Sequence, residues 1–141
     1  MRARLLCVFA VVLTAAIPVL AHHSWGVEYD SEKCMDLRGT LTGLKWENPH
    51  AYIDVEAKNA DGKTVTWHLE MVTPNALKRN GTTREDFEVN FGKTINVRMC
   101  QSKIAGESRG AASYLQLADG EIRGVGPVER RAPEERGFPA Q

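Results

Sequence analysis

An all-β domain, a small five-stranded Greek-key barrel of OB type with one short helix between its third and fourth strands, is the fold this sequence predicts. Three observations predict it. Ala51, Ile53, Val55 and Ala57 alternate with Tyr52, Asp54, Glu56 and Lys58, the period-two signature of a half-buried strand. The apolar positions before them, Leu37, Leu41, Leu44 and Trp46, change parity near Gly43, as a long strand does at a bulge or sharp bend. A single proline-started helical stretch interrupts the strands after the third. A plain antiparallel sandwich is the fallback.

Ahead of the domain stands an export signal. Arg2 and Arg4 form a basic n-region, Leu5 to Leu20 an apolar h-region, and Val19 and Ala21 fit the small-residue rule for cleavage. Sixteen apolar-run residues fall short of the roughly 20 that a membrane span needs. The expectation is a signal peptide over residues 1–21, a mature chain starting at His22, and a periplasmic or secreted product with no membrane insertion after cleavage. Cys7 has a poor lipobox before it and sits too near the start for lipid attachment, and it leaves with the signal. Removing 21 of 141 residues leaves 120, room for one domain, expected over residues 22–126.

Within that domain the first strand is expected from Asp36 to Trp46 and the second from Ala51 to Lys58. Asn59-Ala60-Asp61-Gly62 supplies a hairpin turn. Thr64 to Met71 then points Val65, Trp67, Leu69 and Met71 inward and Thr66, His68 and Glu70 outward. Thr73 is a good N-cap, Pro74 suits the first helical position and Gly81 a left-handed C-terminal one, so the spacing predicts a helix over 74–80. Thr82 and Glu85 suggest a capping box for a second helical turn. Leu77 and Phe87, apolar in a polar stretch, are expected to plug one end of the barrel. Ile95, Val97 and Met99 mark a strand from Thr94 to Gln101, and Tyr114, Leu115 and Leu117 lead into the Asp119-Gly120 turn, after which residues 122–125 return. Glycine, serine and charge between Ser102 and Ala112 predict a mobile loop. Three prolines and six charges over residues 127–141 predict a disordered tail.

Composition narrows the partners. Without Arg2 and Arg4 the mature chain carries 16 basic against 18 acidic residues, a balance that offers nucleic acid no basic face. Cys34 and Cys100 remain, and in an oxidising compartment they are expected to form one disulfide. The first and fourth strands pair when the barrel closes, which makes the two cysteines neighbours. The rival, a metal or redox thiol pair, lacks a C-x-x-C spacing.

All four histidines, His22, His23, His50 and His68, lie in the mature chain. With His22 first, its amine and ring chelate a metal and His23 adds an imidazole, a donor set that suits Cu(II) or Ni(II), with zinc less demanding of geometry. His68 and Glu70 stand two apart on one strand and so face the same side. Trp46, Asn48 and His50 belong to the turn between the first two strands, which in OB barrels borders the ligand groove. The expected binding rim is therefore Trp46, Asn48, His50, His68 and Glu70, with His22, His23 and His50 as metal ligands and copper or zinc as the ion. The alternatives are plain: histidines after a cleavage site serve as a solvated leader, and His68 as a surface residue bonded to a neighbour. No G-x-S-x-G, Walker loop or H-E-x-x-H occurs, so no catalytic residue is assigned.

The run Ala21-His22-His23-Ser24, with Asp30, Gly39, Trp46, Asn48-Pro49-His50-Ala51, Trp67, Glu70-Met71, Pro74-Asn75, Leu77, Arg79 and Gly81, resembles the exported bacterial family known as domain of unknown function 6152. The resemblance covers residues 22–123. It implies a secreted or periplasmic small β-barrel and makes His22, His23, Asn48, His50 and Glu70 the positions to test. Cys34 and Cys100 depart from that pattern. The functional expectation is an exported binding or accessory protein that captures a transition metal or small ligand at the rim. The alternative is a cofactor-free module docking onto another exported protein, and a hydrolase-like enzyme using His68 and Glu70 ranks last.

Overall fold

The computed structural model describes residues 25–126 and Phe138. The expected signal peptide, His22, His23 and, apart from Phe138, the tail over 127–141 lie outside the described residues. In chain order the elements are α1 (Trp25–Glu28), β1 (Tyr29–Lys45), β2 (Tyr52–Lys58), β3 (Thr64–Glu70), α2 (Pro74–Arg79), α3 (Arg84–Glu88), β4 (Thr94–Ser102), β5 (Arg109–Gln116) and β6 (Ile122–Gly124). The chain is all-β in class, and the helices among the described residues are short. No helix among the described residues is long and apolar enough to cross a membrane.

The strands run in the order β3-β2-β1-β4-β5-β6, and β3 also pairs with β5. That last pairing is parallel, through His68↔Arg109, Leu69↔Gly110 and Glu70↔Ala111. Pairings therefore run in a ring through β1, β2, β3, β5 and β4. Among the described residues six strands stand where a five-stranded barrel was expected. The sixth, β6, is the return expected after the Asp119-Gly120 turn: Gly120 takes a positive φ of 85° and residues 122–124 fold back onto Tyr114, Leu115 and Gln116.

Two boundaries differ from expectation for physical reasons. β1 starts at Tyr29, not Asp36, since its polar first half is held by β4 through Tyr29↔Ser102 and the Cys34–Cys100 disulfide. Hydropathy alternation is blind to such a strand. β5 starts at Arg109, inside the stretch expected as a loop, and Gly110, Ala111 and Ala112 are buried. Those small residues permit close approach: a Cβ on Gly110 would stand 2.4 Å from Met99 Cε and 2.8 Å from the Cys100 carbonyl oxygen.

The expected bend is present. β1 and β2 lose register between Leu41 and Gly43, where Thr42 is the extra residue of a bulge. Gly43 allows it, because a Cβ there would lie 2.5 Å from Asp54 Oδ2. One apolar cluster fills the ring and includes Leu37, Leu41, Ile53, Val55, Leu69, Met71, Ile95, Val97, Met99 and Leu115. Trp67, expected in the core, is only partly buried and packs against it.

Leu77 and Phe87 are fully buried in the same cluster. The Thr73 hydroxyl accepts from the Ala76 N–H at 3.1 Å, as the sequence predicts for an N-cap. The capping box expected at Thr82 and Glu85 stands one residue later. Thr83 and Asp86 form it, while the Thr82 N–H closes α2 on the Leu77 carbonyl at 2.9 Å, which leaves Thr82 buried. The cross-strand disulfide fits a chain that folds in an oxidising compartment.

Candidate functional site

β2 and β3 pair so that Tyr52 faces Glu70 and Asp54 faces His68. Because Ile53, Val55 and Leu69 take the core side, those four side chains share the opposite face. Beyond β2 the pairing continues: the Met71 N–H donates to the Ala51 carbonyl at 2.8 Å and the Ala51 N–H to the Val72 carbonyl at 3.2 Å. His50 is thereby held over the end of β3.

The His50 Nδ1 atom lies 3.2 Å from the Met71 carbonyl oxygen and 3.3 Å from Glu70 Oε1. A carbonyl oxygen only accepts, so Nδ1 carries the hydrogen and the lone pair of the neutral ring sits on Nε2. His68 is held in a similar way, with Nδ1 2.7 Å from Asp54 Oδ1 and its ring stacked on Tyr52 at 4.9 Å between centroids, 7° apart. Asp54, not Glu70, is thus the carboxylate of His68.

Glu70 is buried beneath this face. Its Oε2 accepts from the Tyr29 hydroxyl at 2.6 Å and from the Tyr52 hydroxyl at 3.4 Å, while Oε1 faces His50. Tyr29, in turn, carries the Trp25 ring at 5.3 Å between centroids. Burial pushes the Tyr29 hydroxyl far above its ordinary range, and the hydrogen bond to Glu70 adds to the rise. Burial also raises Tyr52, with the Glu70 charge next in weight.

The sign of the resulting pH dependence is fixed. A tyrosine whose folded pKa exceeds its unfolded value of about 10 contributes stability that is whole below that pH and is lost as pH rises above it. Of the three tyrosines, Tyr29 and Tyr52 should resist ionisation until the chain unfolds. Phenolate absorbance followed through alkaline titration checks this. Tyr29→Phe should cost roughly 1–3 kcal/mol at neutral pH, through the lost bond to Glu70, and should flatten the alkaline loss. An unchanged alkaline profile would count against the buried hydroxyl.

Of the residues expected at the rim, His50, His68 and Glu70 come together, linked through Tyr52. Trp46 leans the other way, its ring 5.9 Å from that of Phe87 and packed against the core. Asn48 is exposed in the turn, where its bond to Pro49 is cis. Sequence reasoning missed Tyr29, Tyr52 and Asp54. The last two depend on the hairpin register: Asn59 pairs with Lys63, which sets Tyr52 and Asp54 opposite Glu70 and His68, whereas a turn over residues 59–62 closed on Lys58 and Lys63 would set them opposite Leu69 and Trp67. Tyr29 was out of reach as well, because its place depends on the polar half of β1.

Among the described residues no group of three or more His, Cys, Asp and Glu side chains is arranged to hold a metal ion. Two oriented imidazoles are present, and any further donors come from elsewhere.

A family model, the family of unknown function DUF6152, matches residues 10–112. The chain belongs to DUF6152. The DUF6152 match takes in His22, His23, His50, His68 and Glu70 and ends inside β5. No curated protein and no solved structure matches the chain.

Proposed function

We propose that this chain is an exported binding protein that captures one transition-metal ion, copper or zinc, at His50 Nε2 together with His22 and His23. One observation carries the proposal. The Nδ1 edge of His50 is engaged by Met71 and Glu70, so the ring offers Nε2 as its open donor. Carboxylate or carbonyl contacts of this kind fix the tautomer and raise the basicity of metal-ligating histidines. His68, tied to Asp54, is prepared in the same manner.

The remaining donors are the amine and rings of the mature terminus. His22 precedes Trp25 by three residues, a reach of roughly 10 Å along an extended chain. Trp25, the first described residue, rests on Tyr29, Tyr29 bonds Glu70, and Glu70 adjoins His50, so the described chain begins on the side of the candidate ligand. An amine and two or three imidazoles suit Cu(II), and zinc accepts them too.

The ring of pairings is, in this proposal, an OB-type Greek-key barrel located in the periplasm or outside the cell. A parallel β3–β5 pairing and a helix between β3 and β4 support the topology. In such barrels the face of the second and third strands is the usual ligand face, and here it bears His68 and Glu70 with His50 at its edge.

Calorimetric titration of the oxidised mature chain with Cu(II) and with Zn(II) tests the proposal. One ion per chain is expected, with His50→Ala removing the tight phase and Glu70→Gln weakening it about 10–100-fold. Binding that is weak and indifferent to His22, His23 and His50 would overturn it.

A further inference from the structure

We propose a second site, distinct from the metal ligands: a pocket between α1 and the loop joining β4 to β5 that takes a small carboxylate bearing a short apolar chain. A cavity of about 180 Å³ is lined there by Val27, Glu28, Tyr29, Lys103, Ile104 and Arg109 among others. Its volume matches roughly six water molecules at ~30 Å³ each, the size of a four- to six-carbon acid.

Val27 and Ile104 are 67% and 59% exposed, and both face this one cavity although they come from distant segments. Scattered exposed aliphatics need no explanation, but a facing pair does. The two are held in place by backbone. The Lys103 N–H donates to the Glu28 carbonyl at 2.9 Å, and the Lys103 ammonium donates to the Gly26 carbonyl. The walls are therefore tied across the cavity rather than free to collapse together.

Charge selects the headgroup. Lys103 and Arg109 are the cations of the lining and Glu28 its carboxylate, and Glu107 at the edge is the ion-pair partner of Arg109. Lys103 is engaged with α1, which leaves Arg109 as the anchor. Its ion pair with Glu107 is long, 3.5 Å, and both side chains are about two-fifths exposed, so a ligand carboxylate competes for the guanidinium at little cost. A planar guanidinium takes a carboxylate through two parallel N–H donors, and the apolar chain then lies between Val27 and Ile104. Tyr29 forms the wall between this pocket and Glu70.

The test is an amide NMR titration of the oxidised mature chain with hexanoate, and with hexanol as a neutral match. Saturable shifts confined to residues 27–29 and 102–109 are expected, with hexanol at least about tenfold weaker and Arg109→Gln reducing hexanoate affinity about tenfold. Ile104→Ser, which leaves Arg109 in place, should also weaken hexanoate. Shifts that do not saturate, hexanol binding as well as hexanoate, or indifference to both substitutions would each overturn the proposal. Metal uptake reads His50 and the terminus, so either site can fail without the other.

Discussion

Paired substitution of Cys34 and Cys100 by alanine is expected to lower the stability of the folded chain by roughly 4 kcal/mol. The two residues are separated by 66 positions, and cross-linking so long a loop removes much of the freedom of the unfolded chain. Position sharpens the effect. β1 pairs with β2 only from Thr40 onward, so its first half has β4 as its sheet neighbour, and the bond between Cys34 and Cys100 crosses that pair. Tyr29 stands at the far end of this half and caps Glu70. Loss of the cross-link should therefore reach the candidate site as well, seen as earlier ionisation of Tyr29 on alkaline titration. Urea unfolding of the oxidised chain, the reduced chain and the alanine pair measures the loss. Reduced and substituted chains should agree, and a loss below about 1 kcal/mol would show that β1 is held without the bond.

Phe87→Ala should cost about 3–5 kcal/mol. The side chain is fully buried, joins the common core and meets the Trp46 ring at 5.9 Å. α3 has five residues, too few to hold helical form alone, so its place depends on what Phe87 buries. The capping box at Thr83 and Asp86 shapes the start of this helix but contributes only about 1 kcal/mol. Denaturant unfolding reports the total, and the emission of Trp46 reports the local change. A loss under about 1 kcal/mol would mean that α2 and α3 do not close the end of the ring.

The parts of the fold visible in the sequence are those set by local chemistry. β2 announced itself by strict alternation, the bend by Gly43, and α2 by Thr73, Pro74 and Gly81. The pairing of Cys34 with Cys100 followed once the first and fourth strands were taken as neighbours. Missed features depend on contacts between distant segments. Residues 29–35 are polar and become a strand only because β4 and the disulfide hold them. Gly110, Ala111 and Ala112 have the composition of a loop, yet they are small so that β5 can pass close to Met99 and Cys100. The capping box moved by one residue because Thr82 is needed to close α2. At the candidate site, the outward faces of His68 and Glu70 were legible from their spacing. Their partners were not: Glu70 looks like a surface carboxylate in sequence, and is buried because Tyr29 and Tyr52 fold their hydroxyls over it.

Native mass spectrometry of the chain, recovered gently from the cells that produce it, puts metal capture at His50 to the test. Capture predicts a chain that begins at His22, carries the Cys34–Cys100 bond and retains one copper or zinc ion, with the ion lost in His50→Ala. A chain that begins at His22, keeps its disulfide, arrives bare and stays bare when offered Cu(II) or Zn(II) would contradict it.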